Sequence, residues 1–487
     1  MARAATRVGL TAWLAGCVAY HPAPISAQAG ARAFAARRLD DPKLAALMAA
    51  DGVAAPGVAT PGVPPGVPPG ATTGATPGAA GWGLAQLTLA GLYFHPDMAV
   101  ARATVRVAAG EARAAGEIPN PTLGFEELSV NASRAAPSPF TVAPFLNFLI
   151  ETAGKRQDRM ARQAALLKAA RDAVDMTAWQ VRAQVRDAWL TLWAGQRILT
   201  LRQAQARLWQ DLAAAMARRA ALGAADAPAA MAAQLQALQA RAAVAAATDD
   251  LAADRAGLAR AIGVTEQALE GIRLDFTALD TPPALPDAAR LAELRKAALT
   301  GRADMRAALA RYAAAEAGLK LAVASQYPDI TLTPGYIYDQ GQNKYALYPS
   351  LELPLFNQHQ GEIATALARR QLAAAEFLRT EDATIADIRA AFLAAHRART
   401  ALRAARGAAR MANRLDAAVT RGFAAGGVDR PGRDQARLSA LGAADALLRA
   451  RRADLAGLGA LEDAAQTPLL DGVTVTGAAP RDEVAAR

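Results

Sequence analysis

Residues 342–355 read QNKYALYPSLELPL, and the alternation within this stretch decides the fold. One set of alternate positions is apolar and consists of Tyr345, Leu347, Pro349, Leu351, Leu353 and Leu355. The intervening set is more polar and consists of Ala346, Tyr348, Ser350 and Glu352. A period of two places the two sets on opposite faces of a β-strand. About ten residues of this kind suit a tilted strand through an outer membrane.

This strand belongs to one of two predicted hairpins that interrupt a mostly helical chain. The first hairpin spans about 120–151, with its loop near 131–139, and the second spans about 328–356. Two hairpins supply four strands, whereas a closed membrane barrel needs about eight or more. Open sheet edges are not tolerated in lipid, so the chain must assemble. A trimer, with about twelve strands, is the smallest assembly that gives a barrel wide enough for a channel.

Long helices are predicted for most of the remaining body. No proline occurs from Thr152 to Leu222, and a second such segment runs from about Gln358 to Phe423. An apolar stripe on the first segment is formed by Val181, Val185, Trp189, Leu192 and Leu199. A helix of about 70 residues is roughly 100 Å long, so the fold contains rods rather than a thick globular core.

The body is a tandem duplication. Placing Pro121 over Pro328 aligns the segments before the hairpins with an offset of 207. After the hairpins the offset becomes 203, which aligns Gly223, Asp226 and Pro228 with Gly426, Asp429 and Pro431. We therefore predict one repeat over 85–280, a second over 281–467 and a C-terminal tail over 468–487. Each repeat has the order helix, strand, strand, long helix, turn, long helix.

Composition argues against nucleic acid as a partner. The formal net charge is +10, and the arginines that carry it are interleaved with Asp and Glu along the predicted helices. No basic stretch is combined with aromatic residues, so these charges indicate solvated helix faces. No run of 18 apolar residues occurs, and no transmembrane helix is expected in the mature chain.

No motif in the sequence predicts catalysis, a cofactor or a metal site. The four histidines are isolated and lack ligand spacing with one another. Gly154-Lys155-Arg156 is similar to part of a phosphate-binding loop, but Leu149 replaces the first glycine, and arginine follows the lysine. Trp179, Trp189 and Trp193 are predicted to be helix-packing residues. The sequence does not indicate an enzyme.

The N-terminus contains the only cysteine of the chain, Cys17, at the end of Leu-Ala-Gly-Cys. An incidental apolar residue, a reactive thiol and a lipid anchor are the alternatives. Arg3 and Arg7 precede a short apolar segment, which is typical of a secretory signal. The motif is similar to a bacterial lipobox and predicts a signal peptide over 1–16 and acylation of Cys17. A plain signal peptide with an accidental cysteine is the simpler alternative.

Residues 17–84 are predicted to comprise the lipidated N-terminus and a Pro/Gly-rich linker. Residues 55–78 are nearly all Pro, Gly, Ala, Val and Thr, with glycines every four residues at 62, 66 and 70. Collagen requires glycine at every third position, so this stretch indicates a flexible, partly polyproline tether. Residues 18 to about 80 are accordingly expected to be irregular.

Local motifs within the duplicated plan resemble the TolC-like outer-membrane factor family. The first motif is Glu151-Thr-Ala-Gly-Lys-Arg156, which is similar to an element common in the heavy-metal efflux branch. The second motif is Leu353-Pro-Leu-Phe-Asn357 with Gly361-Glu362. The third is the pair of helix-turn-helix tips at 219–234 and 421–435. The resemblance covers about 85–467.

The resemblance implies a mostly α fold with a small β part, assembled as a homotrimer. Four strands per chain would form a twelve-stranded outer-membrane barrel, continued by a long α-helical barrel in the periplasm. The partners implied are a periplasmic adaptor protein, an inner-membrane pump of the RND type and outer-membrane lipid. The resemblance assigns adaptor contact to the tip residues Arg219, Gly223, Asp226, Arg421, Gly426 and Asp429.

The same resemblance suggests residues for the closed aperture. In the family the second tip carries aspartates that narrow the pore, and the corresponding places here hold Gly432 and Gln435. Asp429 and Asp434 lie close by, so Asp429, Asp434 and Gln435 are candidates for the aperture. A ring of carboxylates would attract cations. A solvated outer turn or a helix cap is the alternative role for the two aspartates.

Three functions follow as expectations. The first is the passive outer-membrane duct of a tripartite pump for heavy-metal cations, favoured by the Glu151–Arg156 element. The second is a duct for drugs, solvents or secreted polypeptides. The third, from another class, is a periplasmic coiled-coil structural or adaptor protein, which should lack strands that face lipid.

Overall fold

A computed structural model describes residues 20–56, 81–131, 137–224 and 226–470. The predicted signal peptide, Cys17 and most of the Pro/Gly-rich stretch 55–78 lie outside the described residues, as does the tail from 471 onward. Within the described parts of the chain, no helix is both long enough and apolar enough to span a membrane.

The expectation of an irregular segment before the linker is wrong. Helices form at Ala27–Ala35 (α1) and Pro42–Ala50 (α2). Asp41 caps α2 by accepting a hydrogen bond from the Lys43 amide at 2.8 Å, and a proline occupies the first turn. Leu44 and Met48 of this helix are buried, so tertiary packing supports a segment whose sequence pattern is weak.

Both repeats have the predicted order of strands and long helices, but two helices instead of one precede each pair of strands. The first contains α3 (Leu84–Phe94), α4 (Pro96–Ala114), β1 (Thr122–Val130), β2 (Phe140–Ile150), α5 (Lys155–Ala221) and α6 (Ala227–Ile262). The second contains α7 (Ala288–Gly301), α8 (Ala303–Ala324), β3 (Ile330–Asp339), β4 (Gln342–Leu351), α9 (Gln360–Ala424) and α10 (Arg430–Ala465). Short 3₁₀ turns at Glu266–Leu269 and Thr277–Leu279 lie between α6 and α7.

The two predicted long helices are confirmed. Helix α5 has 67 residues and α9 has 65, so each is about 100 Å long. Each begins after a residue with left-handed backbone, Gly154 with φ of 76° and His359 with φ of 61°. Left-handed glycines recur just beyond the far ends, at Gly223 and Gly426, where the chain turns into α6 and α10.

The four strands form one antiparallel sheet in the order β1-β2-β3-β4. Both hairpins are therefore confirmed, and β2 pairs with β3 to join the two repeats. Strand β4 ends at Leu351, so Leu353 and Leu355 follow the strand instead of extending it. A register shift between Phe125 and Leu128 interrupts β1. Within this single chain, β1 and β4 are the outer strands of the sheet.

The helices below the sheet pack side by side. Helix α5 contacts α4, α6, α8 and α10, while α8 also contacts α9. The main core lies where α3, α5 and α6 meet, and it buries Trp189 and Trp193 completely. Trp179 packs against the same core while half-buried, so all three tryptophans are packing residues as predicted.

An arginine fastens the N-terminal segment to this core. The Arg37 side chain donates to the backbone carbonyl of Phe94 at 2.9 Å and to that of Gly263 at 2.6 Å. These carbonyls lie at the C-terminal ends of α3 and α6, where unpaired acceptors favour a cation. The segment before the linker is thus part of the folded body.

Candidate functional site

The sheet has one apolar face and one largely polar face. Directly paired residues share a face, as Leu123 does with Leu146 and Leu347 with Pro334. Large side chains exposed on the apolar face include Leu123, Phe125, Phe140, Leu146, Phe148, Ile150, Tyr345, Leu347 and Leu351. The opposite face carries Thr122, Ser129, Thr141, Thr331, Thr333 and Ser350. An exposed apolar face of this size indicates contact with lipid or with protein.

An aromatic ring interrupts the polar face. A Cβ added at Gly124 would lie 2.5 Å from Cζ of Phe145, its cross-strand partner. The ring therefore covers the glycine backbone, and Gly335 lies opposite Phe145 on β3. A larger residue at position 124 would therefore force the Phe145 ring to shift.

The Glu151–Arg156 element forms the junction between β2 and α5. The left-handed backbone of Ala153 and Gly154 reverses the chain, and Glu151 then meets Arg159 one turn into the helix. The guanidinium donates to both carboxylate oxygens, at 2.5 Å and 3.0 Å. This bidentate hydrogen bonding outweighs partial burial and lowers the pKa of Glu151 below its usual value.

The same element ties the first repeat to the second. Lys155 Nζ lies 2.8 Å from Oδ1 of Asp329, and the Thr152 amide donates to the same oxygen at 2.8 Å. Burial opposes ionisation of Asp329, but the hydrogen bonds from Lys155 and Thr152 prevail and lower its pKa. The motif residues therefore have structural partners, and Lys155 binds a carboxylate of the chain.

A buried cluster of charges, the equatorial clamp, joins α5 to α10. Arg182 and Glu462 have no exposed side-chain surface and form an ion pair through the guanidinium Nη2. One turn later, Arg186 donates to both oxygens of Asp463, at 2.8 Å and 2.6 Å. Burial disfavours the charged Arg186, but Asp463 more than compensates and raises its pKa. The clamp joins the two repeats, because Arg182 and Glu462 are 280 positions apart and Arg186 and Asp463 are 277 positions apart.

The predicted tip residues lie in two separate turns. Arg219, Gly223 and Asp226 are exposed in the first turn, as are Arg421, Gly426 and Asp429 in the second. The two turns approach each other where Arg219 Nη1 lies 4.0 Å from Asp429 Oδ2. Asp429 also accepts a hydrogen bond from the Gly432 amide at 2.9 Å, so it is the N-cap of α10.

The three aperture candidates differ in exposure. Gln435 and Asp429 are exposed, whereas the Asp434 side chain is fully buried within the chain. Arg433 donates to Oδ1 of Asp434 at 2.6 Å, and Arg430 lies 3.6 Å from Oδ2. In this conformation the Asp434 carboxylate does not line an open space. Its burial follows from the two arginines that cover it.

A matching family model then identifies the chain. The model described as "Outer membrane efflux protein" matches residues 92–264 and 294–465, which together include most of both repeats. The chain belongs to the outer membrane efflux protein family. Proteins of this family are channels rather than enzymes, and they work as trimers with periplasmic adaptors and inner-membrane pumps. The chain is therefore an outer-membrane efflux channel protein and not a periplasmic adaptor.

Solved structures support the fold of this channel protein. VceC from Vibrio cholerae superposes with a TM-score of 0.64 at 20% identity, over 78% of this chain and 95% of VceC. The MtrE outer membrane channel of Neisseria gonorrhoeae gives 0.63 at 18% identity, over 78% of this chain and 88% of MtrE. CusC superposes with a TM-score of 0.65 at 17% identity, over 78% of this chain and 91% of CusC. No curated protein sequence matches the chain. At these identities the similarity establishes the fold of the channel protein alone.

Several structural residues of the channel protein escape sequence reasoning. Arg430 and Asp434 are four apart on a helix, a spacing that could have predicted their ion pair. Arg182 and Glu462 carry no such signal, because they are distant in sequence. Within the described parts of the chain, no group of His, Cys, Asp and Glu has an arrangement suited to a metal ion.

Proposed function

We propose that three copies of this chain close a twelve-stranded barrel in the outer membrane and serve as the exit duct of a tripartite efflux pump. The four-stranded sheet with an exposed apolar face carries this proposal. Its outer strands, β1 and β4, would pair with neighbouring copies, because unpaired backbone groups are costly in lipid. The long helices below the sheet would then line the periplasmic tunnel.

Adjacent residues on β4 test the proposed barrel. Leu347 is 60% exposed on the apolar face, and Tyr348 is 49% exposed on the opposite face. Leu347→Arg places a charge in lipid in every protomer, at about 2–4 kcal/mol each near the bilayer midplane. Tyr348→Arg places the same charge in the water-filled interior. We expect heat-modifiable trimers in outer-membrane fractions for wild type and Tyr348→Arg, with strong loss for Leu347→Arg.

Equal assembly of the two arginine variants would contradict a lipid-facing barrel. Loss of trimers in both variants, together with loss of the folded chain, would indicate a folding defect instead. A circular dichroism spectrum of the purified variants separates these cases, since about 100 Å of helix in each repeat dominates the signal.

The two exposed turns are proposed to contact the periplasmic adaptor. Asp226 and Asp429 occupy corresponding positions of the two repeats, and both are exposed. A photo-crosslinking residue at either position should capture the adaptor in cells, whereas one at Glu293, exposed on the distant α7, should not. Adaptor capture from Glu293 alone would contradict the proposed orientation. Asp429 and Gln435 are also proposed to line the closed aperture.

A lipid on Cys17 is proposed to anchor each protomer to the outer membrane. The Leu-Ala-Gly-Cys motif and the preceding positive charge support this proposal. Mass spectrometry of the mature N-terminus should find an acylated Cys17, and Cys17→Ser should lose the lipid while keeping the fold. An unmodified thiol at this position would leave a plain signal peptide.

Two cargo classes have separate support. The likeness of the Glu151–Arg156 element to the heavy-metal branch supports metal cations. Three exposed arginines in one groove between α5, α8 and α9 support organic anions. Deletion of the gene, followed by growth on zinc, cobalt, cadmium, nickel, copper and silver salts beside several drugs, tests both. Selective metal sensitivity that the gene restores would support cation efflux, and drug sensitivity alone would contradict it.

A further inference from the structure

A groove lined by three helices lies directly below the sheet, with a volume of about 570 Å³. We call it the arginine groove, because α5 contributes Arg162, α8 contributes Arg311 and α9 contributes Arg369. All three side chains are exposed. The groove is formed within one chain, so it does not depend on how copies assemble. Its size is that of small-molecule sites in other proteins.

The arginine groove adjoins the polar face of the sheet. Ser325 at the end of α8 lines the groove, and it also lines a second hollow together with Thr331 and Ser350 of the polar face. In the proposed barrel the polar face is the side that faces the interior.

Helix geometry places the arginine groove and another hollow on opposite faces of α8. Arg311 and Gly318 are seven residues apart, so they lie nearly above one another on α8. Lys320 is nine residues from Arg311 and points to the opposite side, where it lines a different hollow with Glu316. The two basic residues therefore belong to opposite faces of one helix.

The guanidinium groups of the arginine groove are not neutralised. Among the described residues, none of the three has a hydrogen-bond or ion-pair partner. Other arginines of α5, such as Arg159 and Arg186, are held by carboxylates. Glu362 is the single carboxylate among the described residues that line the groove, and it lies 2.8 Å from Nδ1 of His359. The groove thus has three positive groups against one negative group.

The floor of the arginine groove is apolar. It is formed by small and aliphatic side chains, namely Leu166, Ala314, Ala315, Leu321 and Ala322. Arg162 extends across Gly318, where an added Cβ would lie 3.7 Å from its Cδ. The aliphatic part of the arginine therefore widens the apolar surface, while its charged end remains in water. An apolar floor with a positive rim is complementary to an amphipathic anion.

We propose that the arginine groove binds organic anions that carry a carboxylate, sulfonate or phosphate on an apolar body. The guanidinium groups would bind the anionic head, and the alanine floor would contact the body. The extension of this inference to the cargo rests on the proposed function. In the proposed trimer, three protomers would present nine such arginines to the tunnel. A positive wall favours anions and raises the free energy of a passing metal cation.

Binding of 1-naphthalenesulfonate to the purified, detergent-solubilised full-length protein tests the proposal by calorimetry. We expect saturable binding to wild type and about tenfold or greater weakening in Arg162→Gln/Arg311→Gln/Arg369→Gln. Arg311→Gln and Lys320→Gln form a matched pair, because each removes one positive charge from opposite faces of α8. Only Arg311→Gln should weaken binding. Benzyltrimethylammonium, an aromatic cation, should not bind.

Three results would overturn the proposal. Absence of saturable sulfonate binding would make the arginines a solvated helix face. If Lys320→Gln weakened sulfonate binding as much as Arg311→Gln, the binding would depend on the net charge of the protein and not on the groove. Equal binding of sodium sulfate would show that the apolar floor contributes nothing. These outcomes do not depend on a pump, so the arginine groove can fail while the duct function, measured by growth of the deletion strain, still holds.

Discussion

Helix α5 places arginines in two contrasting environments along one rod. In the equatorial clamp, Arg182 and Arg186 are buried and held by acids of α10. About 20 residues earlier, Arg162 is exposed in the arginine groove and has no partner among the described residues. A buried charge must be paired to be tolerated, whereas an exposed charge is stable in water by itself. Pairing thus distinguishes arginines that hold the fold from arginines available to a ligand.

The largest expected effect is in the equatorial clamp. Glu462→Gln weakens the partner of a fully buried guanidinium, and we expect a loss of about 3–5 kcal/mol in the free energy of unfolding. Glu316→Gln is the control, since it removes an ion pair with Arg370 that is about one-third exposed, at 34% and 35%. That control should lose less than about 1 kcal/mol. Guanidinium unfolding midpoints compare the two, and similar losses would remove the distinction between buried and exposed pairs.

A smaller effect on stability is expected in the second tip, which also contains a buried ion pair, here between residues of one helix. Asp434 is buried beneath Arg430 and Arg433, and the Arg433 guanidinium stacks on Phe423 at 4.5 Å. With the offset of 203, the first tip has Met231 where the second has Asp434, and it is 69% exposed.

We expect Asp434→Ala to weaken the second tip by about 1–3 kcal/mol, because a buried carboxylate is lost that accepts hydrogen bonds from Arg433 and forms an ion pair with Arg430. Met231→Ala should change the first tip by less than about 0.5 kcal/mol, as an exposed substitution. Hydrogen exchange of residues 421–440 and 219–240 measures each turn separately. Equal protection of the second tip before and after Asp434→Ala would contradict its assignment as a buried ion-pair site.

Acid should weaken the sheet–helix junction. The pKa values of Glu151 and Asp329 are lowered from their ordinary values of 4.5 and 3.8. Their stabilisation is therefore complete above the unfolded pKa values and is lost as the pH falls through the lower, folded ones. We expect the thermal unfolding midpoint to decrease when the pH is lowered beyond about 4.5. In Glu151→Gln/Asp329→Asn, the acid-induced loss of unfolding free energy should be smaller by about 1 kcal/mol. An unchanged acid profile in the double variant would show that other carboxylates control it.

The smallest effect on stability is expected in the arginine groove. Arg311→Gln and Lys320→Gln remove exposed charges, so each should change the free energy of unfolding by less than about 0.5 kcal/mol. The same Arg311→Gln variant should weaken sulfonate binding. Destabilisation of several kcal/mol by Arg311→Gln would indicate that the groove arginines hold the wall together.

The sequence predicted the architecture well because its signals are local and repeated. Alternation along 345–351 predicts a strand, and the absence of proline from 152 to 222 predicts a rod. The aligned Gly223 and Gly426 mark both turns, because each adopts a left-handed backbone that glycine favours. The helices at 27–35 and 42–50 were missed, and the second of them is supported by burial of Leu44 and Met48 rather than by a strong sequence pattern.

By itself, the sequence determined the duplicated plan, the two-faced strands and the family, because period, length and turn chemistry are properties of neighbouring residues. Only the tertiary structure decided which charges are paired. Arg182 meets Glu462 from 280 residues away, and Arg162, Arg311 and Arg369 converge on one groove. Burial and distance between remote side chains determine these roles, and neither quantity can be read from the order of residues along the chain.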